Sequence, residues 1–113
     1  MQNFTIALHS LTCYLPDEQI DEVYLMFNGK KIWPKDNKFE SMKEDSSVRL
    51  EVETSILKGA SIKIELWECD DLSADDKLGN FILEADKVGG PYTSDMIKED
   101  KGKSKDALNW EVR

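Results

Sequence analysis

The feature of this sequence that most constrains its fold is an alternation of apolar and polar residues in four separate segments. Every second side chain in each segment is apolar, and the four apolar sets are Phe4, Ile6 and Leu8; Val23, Leu25 and Phe27; Val48, Leu50 and Val52; and Ile62, Ile64 and Leu66. A period of two residues predicts strands with one buried side and one side in water. Since no segment keeps a period of 3.6 residues, the sequence predicts an all-β fold.

The turns and the remaining segments extend this pattern to the whole chain. Asn28-Gly29 separates two apolar runs and is the strongest local signal for a β-hairpin, because both residues tolerate a positive φ. "FILEA" and "NWEV" are candidate further strands. Residues 93–107 are polar and lysine-rich and predict a long loop, with a short helical turn as an option at "SDMIKEDK". We therefore expect an antiparallel Greek-key β-sandwich of seven or eight strands, with residues 1–113 as a single domain.

Charge and cysteine content narrow the classes of function. The chain carries 15 basic and 23 acidic residues, and its formal net charge is −8. This argues against binding to nucleic acid, which requires Lys and Arg to neutralise phosphates. The two cysteines, Cys13 and Cys69, have neither the spacing of zinc ligands nor that of a disulfide framework. The simplest assumption is therefore that the protein is in a reducing compartment. No signal peptide and no membrane span are recognisable, so we expect a cytoplasmic protein.

The sequence gives no sign of a catalytic centre. No Ser or Cys has a pattern of His and acidic residues around it, and the single histidine, His9, falls on the outward side of its predicted strand. Paired carboxylates in this chain are better explained by a cation than by acid–base chemistry. We therefore expect a protein that is not an enzyme.

Acidic residues gather where two of the predicted strands meet their loops. Residues 17–22 and 68–76 hold nine of the 23 acidic side chains. Glu68 and Asp70 continue the inward register of one strand, and Asp21 opens the inward register of another. If these two strand ends meet at one end of the sandwich, the three carboxylates converge there. Such a cluster suits Ca²⁺, which binds six to eight oxygen ligands; the alternative is a solvated loop that keeps this end soluble.

Three segments carry a resemblance to a known family. "ASIKIELWECDDLSADDKLGNFIL" resembles the part of C2 domains in which a strand ends in an aromatic-acid-x-Asp motif. In that family a loop with Ser and Asp follows, and Leu-Gly leads into the next strand. "DEVYLMFNGKKI" resembles the C2 strand that opens with Asp, and "NWEVR" resembles the closing strand. The resemblance covers most of residues 1–85 and the last few residues of the chain.

The C2 resemblance implies an eight-stranded sandwich whose loops at one end bind Ca²⁺ and meet acidic phospholipid headgroups. By position, the implied Ca²⁺ ligands are Asp21, Glu68, Asp70 and Asp76. A further first-loop acid of the family would fall near Leu15, which is not a ligand, so Asp17 or Glu18 is the candidate in its place. Glu68 also departs from the Asp that is usual there, and its longer side chain changes the position of the carboxylate.

Four lysines surround Trp33 in the stretch "KKIWPKDNK". Lysine ammonium groups are attracted to anionic headgroups, so the candidate contacts to a membrane are Lys30, Lys31, Lys35 and Lys38. The alternative is an edge hairpin whose lysines and proline prevent pairing with another chain.

Taken with the resemblance, the sequence predicts a C2-like module that binds Ca²⁺ as its cofactor and docks on acidic phospholipid membranes. Such a protein would be cytoplasmic or attached peripherally to a membrane. The alternative function is a calcium-independent protein–protein interaction module, in which the same sandwich serves as a scaffold or an assembly subunit.

Overall fold

The computed structural model describes residues 2–113, and these residues form ten β-strands and no helix. The strands are β1 (Asn3–Leu15), β2 (Asp21–Phe27), β3 (Lys30–Trp33), β4 (Glu40–Met42), β5 (Ser46–Leu57), β6 (Ser61–Glu68), β7 (Asp76–Glu84), β8 (Gly89–Asp95), β9 (Ile97–Lys98) and β10 (Lys105–Val112). In this part of the chain, no helix is long and apolar enough to cross a membrane.

The strands pair in two antiparallel sheets. One sheet has four strands in the order β5-β1-β10-β8, and the other has the order β3-β2-β6-β7-β9, with β4 also paired to β2. β3 and β4 follow each other along the same side of β2, because β3 pairs with residues 25–27 and β4 with residues 21–23. The predicted all-β antiparallel sandwich is confirmed. The number of strands is higher than predicted because several are short, including β4 with three residues and β9 with two.

Apolar side chains from both sheets pack together in the core between them. Ile6 and Leu8 of β1 and Ile64 and Leu66 of β6 are buried, as the alternation predicts. Val52 of β5 is half-buried because β5 lies at the edge of its sheet. The Asn28-Gly29 hairpin is also present, and both residues have a positive φ, of 52° and 76°.

The prediction of a long loop at residues 93–107 is wrong. β8 and β9 occupy most of its first half, so the optional helical turn is absent, and only residues 99–104 connect β9 to β10. The reason is cross-strand pairing: β8 pairs with β10, and the rings of Tyr92 and Trp110 lie 4.9 Å apart. Because most β8 side chains are exposed, the strand leaves no apolar alternation in the sequence.

Strand register places four loops at one end of the sandwich. Val23 at the start of β2 pairs with Glu68 at the end of β6, and Leu15 pairs with Lys105. The loops formed by residues 16–20, 43–45, 69–75 and 99–104 therefore lie together, and we call this the acidic end. The Asn28-Gly29 hairpin lies at the opposite end, which we call the hairpin end.

Candidate functional site

Asp21 and Glu68 meet in the interior of the acidic end. Asp21 is 1% exposed and Glu68 is 8% exposed, although both are charged residue types. The end of β6 is fixed against β2 by the Cys69 backbone N–H, which donates to the Glu22 carbonyl at 2.8 Å. Burial raises the pKa of Glu68 to about 8, and the neighbouring carboxylates of Asp21, Glu18 and Asp17 raise it in the same direction. This part of the predicted convergence is present.

Asp106 of β10 reaches the same interior from the other sheet. It is 4% exposed, and its Oδ2 atom has no hydrogen-bond partner within residues 2–113. Burial raises the pKa of Asp106 to about 7, and Asp21 and Asp17 add to this effect. Sequence reasoning missed Asp106, although it alternates inward with Leu108 in β10. The available signal was therefore the inward register of the closing strand, continued from Leu108 to the residue two positions before it.

Cys13 of β1 lies beside this carboxyl group and is fully buried. Burial, followed by the charges of Asp106 and Asp21, raises the pKa of the Cys13 thiol to about 12. Since the thiolate is the reactive form, this thiol is not activated as a nucleophile.

Loop 16–20 is held by the carboxylates of Asp17 and Asp21. Asp21 accepts hydrogen bonds from the backbone N–H groups of Asp17 and Glu18, at 3.0 and 3.1 Å. Asp17 accepts a hydrogen bond from the Ser104 N–H at 2.7 Å, which joins this loop to loop 99–104. Burial and the adjacent Asp17 raise the pKa of Asp100 in that second loop. The acidic end thus includes a loop that sequence reasoning did not assign to the site.

Loop 69–75 uses its carboxylates to hold its own backbone. Asp70 accepts hydrogen bonds from the Leu72 N–H at 2.9 Å and from the Ser73 hydroxyl at 2.8 Å. Asp75 accepts one from the Asp70 N–H at 2.9 Å and another from the Tyr24 hydroxyl at 2.5 Å. These bonds lower the pKa values of both carboxyl groups. Asp75, which sequence reasoning did not select, is therefore the acid that ties this loop to β2.

The predicted ligand set divides into two groups. Asp17, Asp21 and Glu68 are close enough for the two aspartates to raise the pKa of Glu68. Asp70 is hydrogen-bonded within its own loop, and Asp76 is the register partner of Glu68 but has an exposed side chain. Across residues 2–113, no three Asp, Glu, His or Cys side chains stand in an arrangement that could hold a metal ion.

The four predicted headgroup lysines are all exposed. Lys30 is the cross-strand register partner of Phe27, next to the hairpin end. Lys31 donates from Nζ to the Asn37 carbonyl at 2.6 Å, and Lys38 Nζ lies 3.8 Å from the Asp71 carboxylate. Lys35 lies in loop 34–39, between β3 and β4.

Two exposed apolar side chains lie in loops of the acidic end. Leu72 is 98% exposed, and Ile20 is 48% exposed. Sequence reasoning did not select them, although each is a branched apolar residue inside an otherwise polar loop. Single exposed apolar side chains are common on protein surfaces, and Leu57 and Val88 are also exposed away from this end.

No protein-family model matches the chain, and no curated protein matches its sequence. The C2 resemblance therefore stays a prediction that rests on the three segments quoted above.

Proposed function

We propose that the protein is a calcium-dependent membrane-docking module whose acidic end binds Ca²⁺ and contacts acidic phospholipids. The proposal rests on one observation above all, the crowding of buried carboxyl groups at that end. Asp21, Glu68 and Asp106 are buried there, and within residues 2–113 none of them forms an ion pair with a basic side chain. Like charges buried together destabilise each other when ionised, and a divalent cation relieves this repulsion.

Ca²⁺ is the cation that suits such a group, because it accepts many oxygen ligands in flexible geometry. Binding requires a change in the loops, because no three acidic side chains of residues 2–113 are arranged to hold an ion and because Asp21 holds two backbone N–H groups of loop 16–20. It also requires the loss of protons, since the pKa of Glu68 is about 8 and that of Asp106 is about 7. Ca²⁺ binding is therefore expected to strengthen as the pH rises.

The surroundings of the carboxyl groups support the proposal of membrane docking. A bound cation cancels negative charge at the acidic end and leaves coordination positions for phosphate oxygens. Leu72 and Ile20 are exposed in loops of the same end. Burial of a leucine side chain contributes about 1.5 to 3 kcal/mol, so Leu72 would add an apolar contribution to the electrostatic one.

The test is co-sedimentation with vesicles that contain phosphatidylserine, in Ca²⁺ and in chelator. We expect the wild type to sediment only in Ca²⁺, and the Glu68→Gln variant to lose this response. Asp86→Asn is the matched control, because Asp86 is exposed in the loop between β7 and β8 at the hairpin end. Equal sedimentation of the wild type with and without Ca²⁺ would rule the proposal out.

A second function, a calcium-independent protein interaction module, is favoured by a different observation. Asp17, Asp21, Asp70 and Asp75 all accept hydrogen bonds from their own or neighbouring loops. Carboxylates in this role stabilise loops without any ion. On this alternative, the wild type has the same melting temperature in Ca²⁺ and in chelator, and the loops present a fixed surface to a protein partner.

A further inference from the structure

A cleft of about 330 Å³ lies on the side of the sandwich, where β8 and β9 pass the start of β10. Three lysines line it, Lys98, Lys103 and Lys105, together with Tyr14 and Met96. We call it the lysine cleft. Its volume lies within the range of small-molecule sites, which begins at about 300 Å³.

The backbone explains why these lysines face the same space. In the extended chain that enters β10, alternate side chains point to opposite sides. Ser104 and Asp106 are buried on the inner side, so Lys103 and Lys105 both project outward. Lys98 comes from β9, and its ammonium group donates to the Gly102 carbonyl, which holds loop 99–104 beside the cleft.

The cleft is positively charged on a chain whose net charge is −8. Its three lysines contribute +3 and its single carboxylate, Asp95, contributes −1, which leaves +2. Within residues 2–113, neither Lys103 nor Lys105 has a carboxylate within ion-pair distance. Ser104 also contributes to the wall of the cleft, while its hydroxyl is buried on the inner side without a hydrogen-bond partner within residues 2–113.

We propose that the lysine cleft binds a phosphate monoester. Such a group carries up to two negative charges and three acceptor oxygens, which match the net charge and the three ammonium groups of the cleft. The organic part of the ester would lie against the Tyr14 ring, which is exposed, and the half-buried Met96. The monoester is either a soluble metabolite or the headgroup of a lipid. Lys103 and Ser104 belong to loop 99–104, which is part of the acidic end, but the cleft contains none of the predicted Ca²⁺ ligands and would bind the ester without Ca²⁺.

The first test is an NMR titration of the labelled protein with phenyl phosphate, carried out in chelator. We expect amide shifts in residues 96–105 and at Tyr14. The Lys103→Gln/Lys105→Gln variant should bind with an affinity lower by on the order of tenfold or more. The Lys58→Gln/Lys87→Gln variant is the matched control, because it removes the same charge from exposed loops at the hairpin end. Circular dichroism melts check that both variants keep the fold.

Amide shifts outside the cleft, or equal affinity in the Lys103/Lys105 variant, overturn the proposal.

Vesicles then distinguish the two sources of the ester, since phosphatidic acid carries a phosphate monoester and phosphatidylserine does not. Retention on phosphatidic acid that exceeds retention on phosphatidylserine, and that the Lys103/Lys105 variant loses, assigns the site to a lipid. Equal retention on both, with phenyl phosphate bound, assigns it to a soluble ester. Because every measurement is made in chelator, failure of calcium binding at the acidic end leaves this result unaffected.

Discussion

Two pairs of carboxyl groups at the acidic end differ in burial, in hydrogen bonding and in the direction of their pKa shifts. Glu68 and Asp106 are buried, and their pKa values rise to about 8 and about 7. Asp70 and Asp75 lie in the adjoining loop, accept hydrogen bonds from N–H and O–H groups, and have lowered pKa values. Only two positions separate Glu68 from Asp70 along the chain.

The comparison shows that hydrogen-bond donors and access to solvent determine the role of a carboxylate in this protein. The number of charges nearby does not. A carboxylate that receives hydrogen bonds is stabilised as an ion and can serve as a loop brace. A buried one beside other carboxylates is destabilised as an ion, and it must bind a proton or a cation. We therefore regard Glu68 and Asp106 as the ion-responsive group and Asp70 and Asp75 as the bracing group. Asp21 is buried beside the first group but braces loop 16–20 through two backbone N–H groups.

The largest expected effect is a loss of stability at alkaline pH. The unfolded chain releases protons from Asp and Glu near pH 4, whereas folded Glu68 and Asp106 retain theirs up to about pH 8 and about pH 7. From about pH 4 up to these pKa values, the native state therefore binds more protons than the unfolded chain does. The free energy of unfolding decreases as the pH rises through this range. We expect a decrease on the order of a few kcal/mol between pH 5 and pH 9, measured by urea denaturation in chelator.

The next prediction assigns that loss to particular residues. A Glu68→Gln/Asp106→Asn variant lacks both raised carboxyl groups and should be more stable than the wild type at pH 9, by about 2 kcal/mol. Its unfolding free energy should also vary little between pH 5 and pH 9. A variant that follows the wild-type pH curve would show that other groups cause the alkaline loss.

A smaller effect is expected from the bracing group. Asp75→Ala removes the hydrogen bonds to the Asp70 N–H and the Tyr24 hydroxyl. We expect a loss of about 1 to 2 kcal/mol in chelator at neutral pH, with the alkaline pH dependence retained. If Asp75→Ala abolished the alkaline loss instead, the division into two groups would be wrong.

The smallest effect is expected for Asp71, in the same loop. Its only ion pair is with Lys38 at 3.8 Å within residues 2–113, and both side chains are largely exposed. Exposed pairs of this kind contribute about 0 to 1 kcal/mol, so Asp71→Asn should change the unfolding free energy by less than about 0.5 kcal/mol. This variant is the control for Asp75→Ala, since it changes an acid of the same loop without removing a brace.

Sequence patterns predicted the parts of the fold in which packing demands alternation. β1, β2, β5 and β6 all place alternate side chains against the core. The apolar residues of these strands therefore recur at every second position of the sequence. β8 could not be found in the same way. Its stability comes from pairing with β10, a contact between distant positions that leaves no local pattern.

The site was predictable as far as the strands extend. Register correctly placed Asp21 and Glu68 on the inward side, because both lie inside strands. Beyond Glu68 the chain leaves the sheet, and Cys69 is buried next to it, so alternation no longer indicates where the side chain of Asp70 points. The hydrogen bonds of loop 69–75 depend on backbone geometry that a pattern of residue types does not specify.

Thermal melting at pH 8, in millimolar Ca²⁺ and in chelator, tests most directly whether the buried carboxyl groups serve a cation. The wild type should melt at a higher temperature in Ca²⁺, and the stabilisation should approach about 2.7 kcal/mol when the ion exceeds its Kd a hundredfold. The Glu68→Gln/Asp106→Asn variant should show no difference between the two conditions. An unchanged melting temperature of the wild type would contradict the account and leave the calcium-independent interaction module in its place.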